Sequence, residues 1–455
     1  MKVRHLFHDS LYRFDEAQPS FWEETAGDRT LAAESLTADE RCDVAIIGGG
    51  FTGLSAALHL ARDFGVDVVV LEAGHIGWGA SGRNGGFCSV GGTKLSVSTQ
   101  LNRFGSDETR RYYQSQVDAI ELVREIGREE AIDFQLQGDG EITVARNPRA
   151  FRDLTAEADV QRRVLGLDVQ VLSREAFLEQ GYASPEQHGA VKLKPTFGLH
   201  PVRYVLGLAR AAVRRGAIVH PHSRVDAWRK EGPDHLLITE GGCLRAKRVI
   251  IACNGFMPEH LHKTLVGRPL PFQSNIVVTR PMTDAELAAH SWRNQCPSIE
   301  ARHLYVYFRM LPDGRLMLGG RGDTNGKPHM AEHVYGRLQR RIAAIWPHWR
   351  DIPITHRWRG LICMTSGLRP SIGKFPDDPT VMFGFGYHGN GVNTATWTGR
   401  ELAYWLAGSN ASDGIEPQHL PALVRGLRAR FPIPSLRRSY ARAGVLYYRI
   451  KDMMG

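Results

Sequence analysis

Gly48, Gly50 and Gly53 fall at G-x-G-x-x-G spacing in the run Gly48-Gly-Gly-Phe51-Thr52-Gly53. The first glycine permits a tight turn out of a strand, and the second lets a pyrophosphate approach the backbone. The third lets the following helix pack closely on that strand. The helix start at Phe51 and Thr52 then offers free N–H groups and a partial positive charge to phosphates. Glu72, with Ala73 after it, stands 19 residues beyond Gly53, where a carboxylate accepts hydrogen bonds from an adenosine ribose and repels a 2′-phosphate. A second glycine loop follows, with Ser81, Gly82, Arg83, Asn84, Gly85 and Gly86 at its centre. A nicotinamide enzyme has no need of it. A flavin does, because its ribityl chain and ring system run on past the pyrophosphate, and Ser81, Arg83 and Asn84 supply donors there. The expected cofactor is therefore FAD. A third loop, Gly386-Tyr-His388-Gly389-Asn390-Gly391, leads into a helix beginning near Val392. Its N–H groups would place positive potential beside the flavin pyrimidine and stabilise the anionic reduced form.

These loops need elements to hold them. Asp43–Ile47 is an apolar run suited to a strand buried on both faces, Thr52–Phe64 has helical spacing, and Val66–Leu71 is a second strand, together a β-α-β unit. Farther on, helices are expected over Val117–Ile132, Val202–Arg215 and Val392–Leu406. Strands are expected at Glu141–Val144, Ala217–His220, Arg248–Ala252 and Val381–Phe385. Ile276–Thr279, Leu304–Phe308 and Arg315–Leu318 read as an antiparallel sheet, with a hairpin turn at Pro312-Asp-Gly314. The expected fold is mixed α/β, a Rossmann-type FAD-binding domain interleaved with an antiparallel-sheet substrate domain. Residues 1–40 read as a surface arm; 41–130, 196–265 and 356–424 as the FAD-binding segments; 131–195 and 266–355 as the substrate segments; and 425–455 as a basic tail.

Composition narrows the function. Apolar residues make up 42% and charged residues 23% of 455, which is ordinary for a globular protein. Of the net charge of +9, the tail from Arg425 onward carries +7, eight basic residues against Asp452. The body is nearly neutral, so no nucleic-acid partner is expected. The six cysteines show no CxxC spacing, and no metal site is suggested. No segment approaches the ~18 apolar residues of a membrane span, and the N-terminus lacks a signal-peptide pattern, so a cytoplasmic location is expected.

The pieces DVAIIGGGFTGLSAALHL, VVVLEAGHIGWGASGRNGG, LHPVRYVLGLARAAVRRGA, VIIACNG, YFRMLPDGRLMLGG and FGYHGNGV occur in that order. In this the chain resembles the D-amino-acid-oxidase-like flavoproteins, and within them the γ-glutamylputrescine oxidase-like members. The resemblance covers roughly residues 20 to 410. It implies oxidation of a C–N bond by hydride transfer to flavin N5, followed by hydrolysis of the imine. It also implies that Val225 contacts the adenine side and that Asn254 and Gly255 flank the FAD, with Gly389, Asn390, Gly391 and Val392 beside the pyrimidine. Relatives carry Thr-Pro-Asp where this chain has Thr365-Ser366-Gly367. Some attach flavin covalently; Cys363 is displaced from such a cysteine and Gly79 replaces a linking histidine, so noncovalent FAD is expected.

Four side chains are candidates for the substrate side. His388 either lines the pocket or caps a turn. Arg309 either clamps a substrate carboxylate or serves as a structural salt bridge, the commoner role. Tyr305 and Tyr307 share a strand face that either walls the flavin or, slightly favoured, is core. Trp358 and Trp397 read as packing residues. No general base is identifiable. The expected substrate is a small amine or amino acid, with O₂ or an electron carrier taking the electrons. The alternatives are an N-methyl amino acid or glycine oxidase or dehydrogenase, an FAD-bearing tRNA-modification module, and a nonenzymatic flavoprotein subunit. The tail offers a site for peripheral membrane contact or, more readily, for packing on its own protein or a second subunit.

Overall fold

Two eight-stranded sheets organise the chain. A computed structural model describes residues 5–408 and 419–454; the first four residues of the expected arm and residues 409–418 of the last FAD-binding segment lie outside it. In the first sheet the order is Ser371–Phe375, Asp378–Phe385, Cys243–Ile251, Glu40–Ile47, Val68–Leu71, Ile218–His220, with the hairpin Ala227–Glu231/Asp234–Ile238 attached to Cys243–Ile251. Its central pairs are parallel, with Ile47 beside Leu71 on one side and Ile251 on the other. Val68–Leu71 is buried along its whole length, as a strand covered on both faces must be. The helices Phe51–Phe64, Pro201–Arg214 and Gly391–Gly408 pack against one another over this sheet. Together with the strand residues Val44, Ile46, Val68 and Val70 they form the largest apolar core.

The second sheet runs Ile354–Met364, Leu270–Pro281, Arg315–Arg321, Val306–Met310, Ser298–Glu300, Glu141–Val144, Ala190–Lys194, Asp168–Leu172. It is antiparallel apart from the pair Ser298–Glu300/Glu141–Val144, which is parallel. One face buries Val277, Phe308, Leu316 and Leu318 against the helix Pro328–Ile345 and the indoles of Trp346 and Trp349. The other faces the first sheet. Ile354–Met364 pairs with Leu270–Pro281 over ten positions, so it belongs to this sheet, although residues from 356 onward were expected with the FAD-binding segments. Its alternating burial looks the same from sequence whichever sheet receives it.

Two expectations need correction. The N-terminal segment is not laid loosely on the surface. Trp22 is 1% exposed and donates from its indole nitrogen to the Asn84 carbonyl at 2.9 Å, while Trp78 donates to the Glu16 carbonyl at 2.8 Å. Its aromatic residues sit in otherwise polar sequence, so no periodicity announced their burial. The helix expected from Val117 begins at Val97 and runs to Glu129, broken at Gly105. Its first turns are too polar to show an apolar stripe, but Ser96 caps them by accepting from the Thr99 N–H at 3.2 Å.

Candidate active site

A cavity of about 1070 Å³ lies where the two sheets meet. One wall is made by the ends of the parallel strands, at Ile47, Leu71 and Ala252, with the loops that leave them. The opposite wall comes from the second sheet, at Leu270–Ser274, Tyr305, Tyr307, Gly320 and Gly360–Ile362. Binding at the carboxyl ends of parallel strands is the general rule for such sheets.

The first glycine loop is held by close contacts. Gly48 has φ +109°, and a Cβ on Gly53 would lie 2.0 Å from the Gly48 carbonyl oxygen, so the helix Phe51–Phe64 reaches its seat only because position 53 has no side chain. Gly48, Gly50, Phe51 and Thr52 line the cavity; Gly53 does not, its work being this packing. Glu72 and Ala73 line the cavity beside them. One Glu72 carboxylate oxygen accepts the Gly49 N–H at 2.7 Å and the other the Gly74 N–H at 3.0 Å. Burial raises its pKa against these bonds.

In the second loop Ser81, Arg83, Asn84 and Gly85 line the cavity, while Gly82 and Gly86 pack against the carbonyl oxygens of Gly77 and Leu199. Ser81 Oγ accepts the Phe51 N–H at 2.9 Å, tying the second loop to the first. Asn84 spends its side chain on the loop itself, accepting from Gly86 N and donating to the Ser81 carbonyl at 2.8 Å. Arg83 stacks over the Trp78 ring at 4.1 Å and donates to the Trp78 carbonyl through Nε. It is 5% exposed, its Nη2 has no partner, and burial lowers its pKa to about 9. An unpartnered guanidinium nitrogen in a cavity wall is the donor an anionic or carbonyl-rich cofactor would satisfy.

Val225, Asn254, Gly255, Gly389, Asn390, Gly391 and Val392 also line the cavity. Asn254 Oδ1 accepts the Gly386 N–H at 2.9 Å and so joins two of the loops. The helix Gly391–Gly408 starts at the cavity wall, its N-terminal end directed there as required of an anion-stabilising dipole.

The substrate-side candidates part company. His388 lines the cavity, with Nε2 3.3 Å from Thr365 Oγ1 and Nδ1 unpartnered. Burial pushes its pKa down to about 3, so the ring is neutral. Tyr307 and Tyr305 both line the cavity, and Tyr307 reaches Ser274 Oγ at 2.9 Å. Both readings hold in part: the two rings form an aromatic wall of the cavity, and Tyr307 also packs against the largest apolar core. Arg309 turns the other way. Its guanidinium donates to the Leu199 carbonyl at 2.6 Å and lies 5.2 Å from the centre of the Trp22 ring, away from the cavity lining. It has neither the carboxylate clamp's position nor, among the described residues, a salt-bridge partner; burial lowers its pKa to about 9. Trp358 is packed, 1% exposed, with its indole donating to the Arg83 carbonyl; Trp397 is packed as well, 4% exposed. Cys363 is buried beside, not in, the lining, between Ile362 and Met364, which do line it, and burial raises its thiol to about 12.

Sequence reasoning missed two contributors. Glu141 lines the cavity and accepts a hydrogen bond from the Ser89 hydroxyl. Its signal was the alternation Glu-Ile-Thr-Val, which sends Ile142 and Val144 into the core and Glu141 to the other face. The tail is the second. Its helix Arg437–Met454 lays Tyr440, Ala441, Gly444, Val445 and Tyr448 on the cavity. Arg437 pairs with Glu259 at 2.8 Å, and the Asp452 carboxylate accepts the N–H groups of His303 and Leu304 at 2.9 and 3.0 Å. Most of the sequence-named cofactor residues thus surround one cavity, and the unpartnered nitrogens and close glycine contacts there suit FAD.

Comparison with known proteins agrees. A family model described as "FAD dependent oxidoreductase" (DAO) matches residues 43–405. Gamma-glutamylputrescine oxidoreductase of Escherichia coli (strain K12) is 29% identical over 425 residues, 93% of this chain and 94% of that protein. Glycine oxidase of Geobacillus kaustophilus (strain HTA426) is 26% identical, covering 80% of this chain and 92% of its own. Among solved structures, glycine oxidase from Geobacillus kaustophilus superposes with a TM-score of 0.68 at 23% identity, over 82% of this chain and 96% of that one, which establishes the shared fold. The chain is an enzyme and belongs to the DAO family of FAD-dependent oxidoreductases.

Proposed function

We propose that the enzyme oxidises the C–N bond of a small amine, with γ-glutamylputrescine-type primary amines the leading class. The observation that carries this reading is one cavity in which the FAD loops face an aromatic wall, Tyr305 and Tyr307, with a carboxylate, Glu141, beside it. Bound FAD supplies the two-electron acceptor. The chain's residues do the rest. The Gly48–Gly53 loop and Glu72 would hold the adenosine and pyrophosphate, and Val225, Asn254 and Gly255 would flank them. Ser81, Arg83 and the Gly389–Val392 turn would hold the remainder. Cys363 lies outside the lining, and Cys253, which does line it, donates from its thiol to the Ile47 carbonyl at 3.2 Å and is kept protonated by burial, which supports noncovalent FAD. Tyr305, Tyr307 and the tail helix exclude water and orient the substrate.

The amino-acid alternative, glycine or N-methylglycine, has the glycine oxidase likeness in its favour. Against it stands Arg309, the candidate carboxylate clamp, turned toward Leu199. The electrons pass to O₂ or to a carrier. Leu446, Tyr447 and Ile450 are exposed on the tail helix beside Arg442, Arg449 and Lys451, and membrane contact or self-association would fall on that surface. Among the described residues no helix is long and apolar enough to cross a membrane. The test is product analysis in air. Aldehyde and ammonia from a primary amine, with hydrogen peroxide if O₂ is the acceptor, support the reading; glyoxylate from glycine or N-methylglycine with no turnover of primary amines overturns it.

A further inference from the structure

Among the described residues Glu141 is the one carboxylate that a strand of the second sheet presents to the cavity, Glu157 lining it from the helix Pro148–Arg163, and nothing in the cofactor account uses it. It sits at the start of the strand Glu141–Val144, whose alternate residues Ile142 and Val144 anchor the strand in the core. Its Oε2 accepts from Ser89 Oγ. Ser89 is itself fixed to the flavin-side helix: its N–H donates to Asn393 Oδ1 at 3.2 Å, and its carbonyl accepts from Asn390 Nδ2 at 2.7 Å. The carboxylate therefore stands one side chain away from the turn expected beside the flavin pyrimidine. On the same wall of the cavity are Tyr305 and Tyr307, surfaces that suit an alkyl chain or a cation.

We propose that Glu141 receives the ammonium group of the substrate and takes its proton, so that the cavity admits a cationic amine and presents it as the neutral amine that can be oxidised. This deepens the reading above and rests on it. In the step, one substrate N–H bond breaks and an O–H bond forms on Glu141; the cation becomes a neutral amine and the carboxylate a carboxylic acid. The amine then holds the lone pair that C–N oxidation requires, and the two electrons leave by the enzyme's own FAD chemistry. Glu141 returns its proton to solvent between turnovers.

The surroundings match this role. Burial raises the Glu141 pKa to about 7, against the Ser89 bond and the attraction of Lys94, which both lower it. A base with a pKa near neutrality is well matched to proton transfer. The other charged or titratable groups on the packed elements are Cys88 on the short strand Phe87–Cys88, Lys192 and Lys194 on Ala190–Lys194, Glu300 on Ser298–Glu300, Glu157 on Pro148–Arg163, and Arg302 and His303 on the next loop. Glu300 is held by Arg341 and Lys194 by Asp139, while Lys94 lies 5.6 Å from the centre of the Tyr305 ring.

The experiment is anaerobic stopped-flow reduction of the bound flavin in the holoenzyme, from pH 5.5 to 10, with mono-N-acetyl-1,4-diaminobutane as the primary-amine probe and N-methylglycine as the amino-acid probe. In the native enzyme the primary amine should reduce flavin with an acid limb near pH 7, the rate falling as Glu141 protonates. Glu141→Gln should lose about 100-fold or more at pH 7 and recover steadily toward pH 10, where the amine loses its proton unaided. Flavin content and thermal midpoint are read in parallel. If Glu141→Gln fails to hold flavin, Ser89→Ala takes its place; removing a bond that favours the charged carboxylate should move the acid limb to higher pH. A Gln variant that matches the native rate and profile, or an unmoved limb in Ser89→Ala, overturns the role of Glu141 while leaving amine oxidation intact. Failure of the native enzyme to be reduced by the primary amine overturns the underlying reading instead.

Discussion

Arg309 shows how burial decides what a residue does. From sequence it had the right chemistry for a carboxylate clamp; in the fold its cation is shut away with Trp22 and the Leu199 carbonyl. Replacing it with methionine keeps most of the volume but leaves that carbonyl without its donor. We expect Arg309→Met to destabilise the holoenzyme by about 1–3 kcal/mol in urea unfolding while KM stays within about twofold; a large rise in KM at unchanged stability would return Arg309 to the substrate. Histidines follow the same rule. His59, His200, His235 and His388 are buried, and burial lowers their pKa values from 6.5 to between about 3 and 4. Because the folded values lie below the unfolded one, the unfolded chain binds protons first as pH falls through 6.5. Stability should then drop at up to ~1.4 kcal/mol per pH unit for each histidine. Asp67, Glu72, Glu141 and Glu157, with raised values, act in the opposite sense, but His260, His262 and His290 are also lowered, and the histidines outnumber the carboxyls. Urea midpoints at pH 7 and pH 5 check the sign, and an unchanged or higher midpoint at pH 5 would contradict it.

At the scale of elements, the β-α-β unit was readable because every local signal agreed: an apolar run, three spaced glycines, helical periodicity and an acid at the second strand's end. The close approach at Gly53 makes the agreement testable. Gly53→Ala would press a methyl group into the Gly48 carbonyl. We expect it to abolish flavin binding during purification and to lower the thermal midpoint by several degrees; normal flavin content would mean that the loop is not held as described. Other elements were less legible. Glu141–Val144 was recognised as a strand, yet which face met the cavity depends on its neighbours Ser298–Glu300 and Ala190–Lys194, distant in sequence. Tyr305 and Tyr307 were assigned to core by a narrow margin for the same reason: alternation shows that two side chains share a face, not what that face meets. The Ile354–Met364 strand could not be allotted to a sheet until its ten-position register with Leu270–Pro281 was seen.

At the scale of the molecule, the cavity is a joint product. Parallel strand ends bring the glycine loops, the second sheet brings the tyrosines and Glu141, and both chain termini close over the remainder, through Tyr12 and Phe14 at one end and Tyr440 to Tyr448 at the other. The tail's charge and the helical spacing of Tyr440 and Gly444 were plain in the sequence; that this face meets the cavity was not, because spacing shows which residues share a face and not what that face meets. If this joint cavity binds FAD and delivers an amine to it, anaerobic titration of the purified protein with primary amines, N-methyl amino acids and D- and L-amino acids, followed by flavin absorbance, will show it. The expected result is a flavin released intact on denaturation and bleached rapidly by a primary amine. A protein that takes up no flavin when incubated with FAD, or one whose flavin no amine or amino acid reduces, would contradict it.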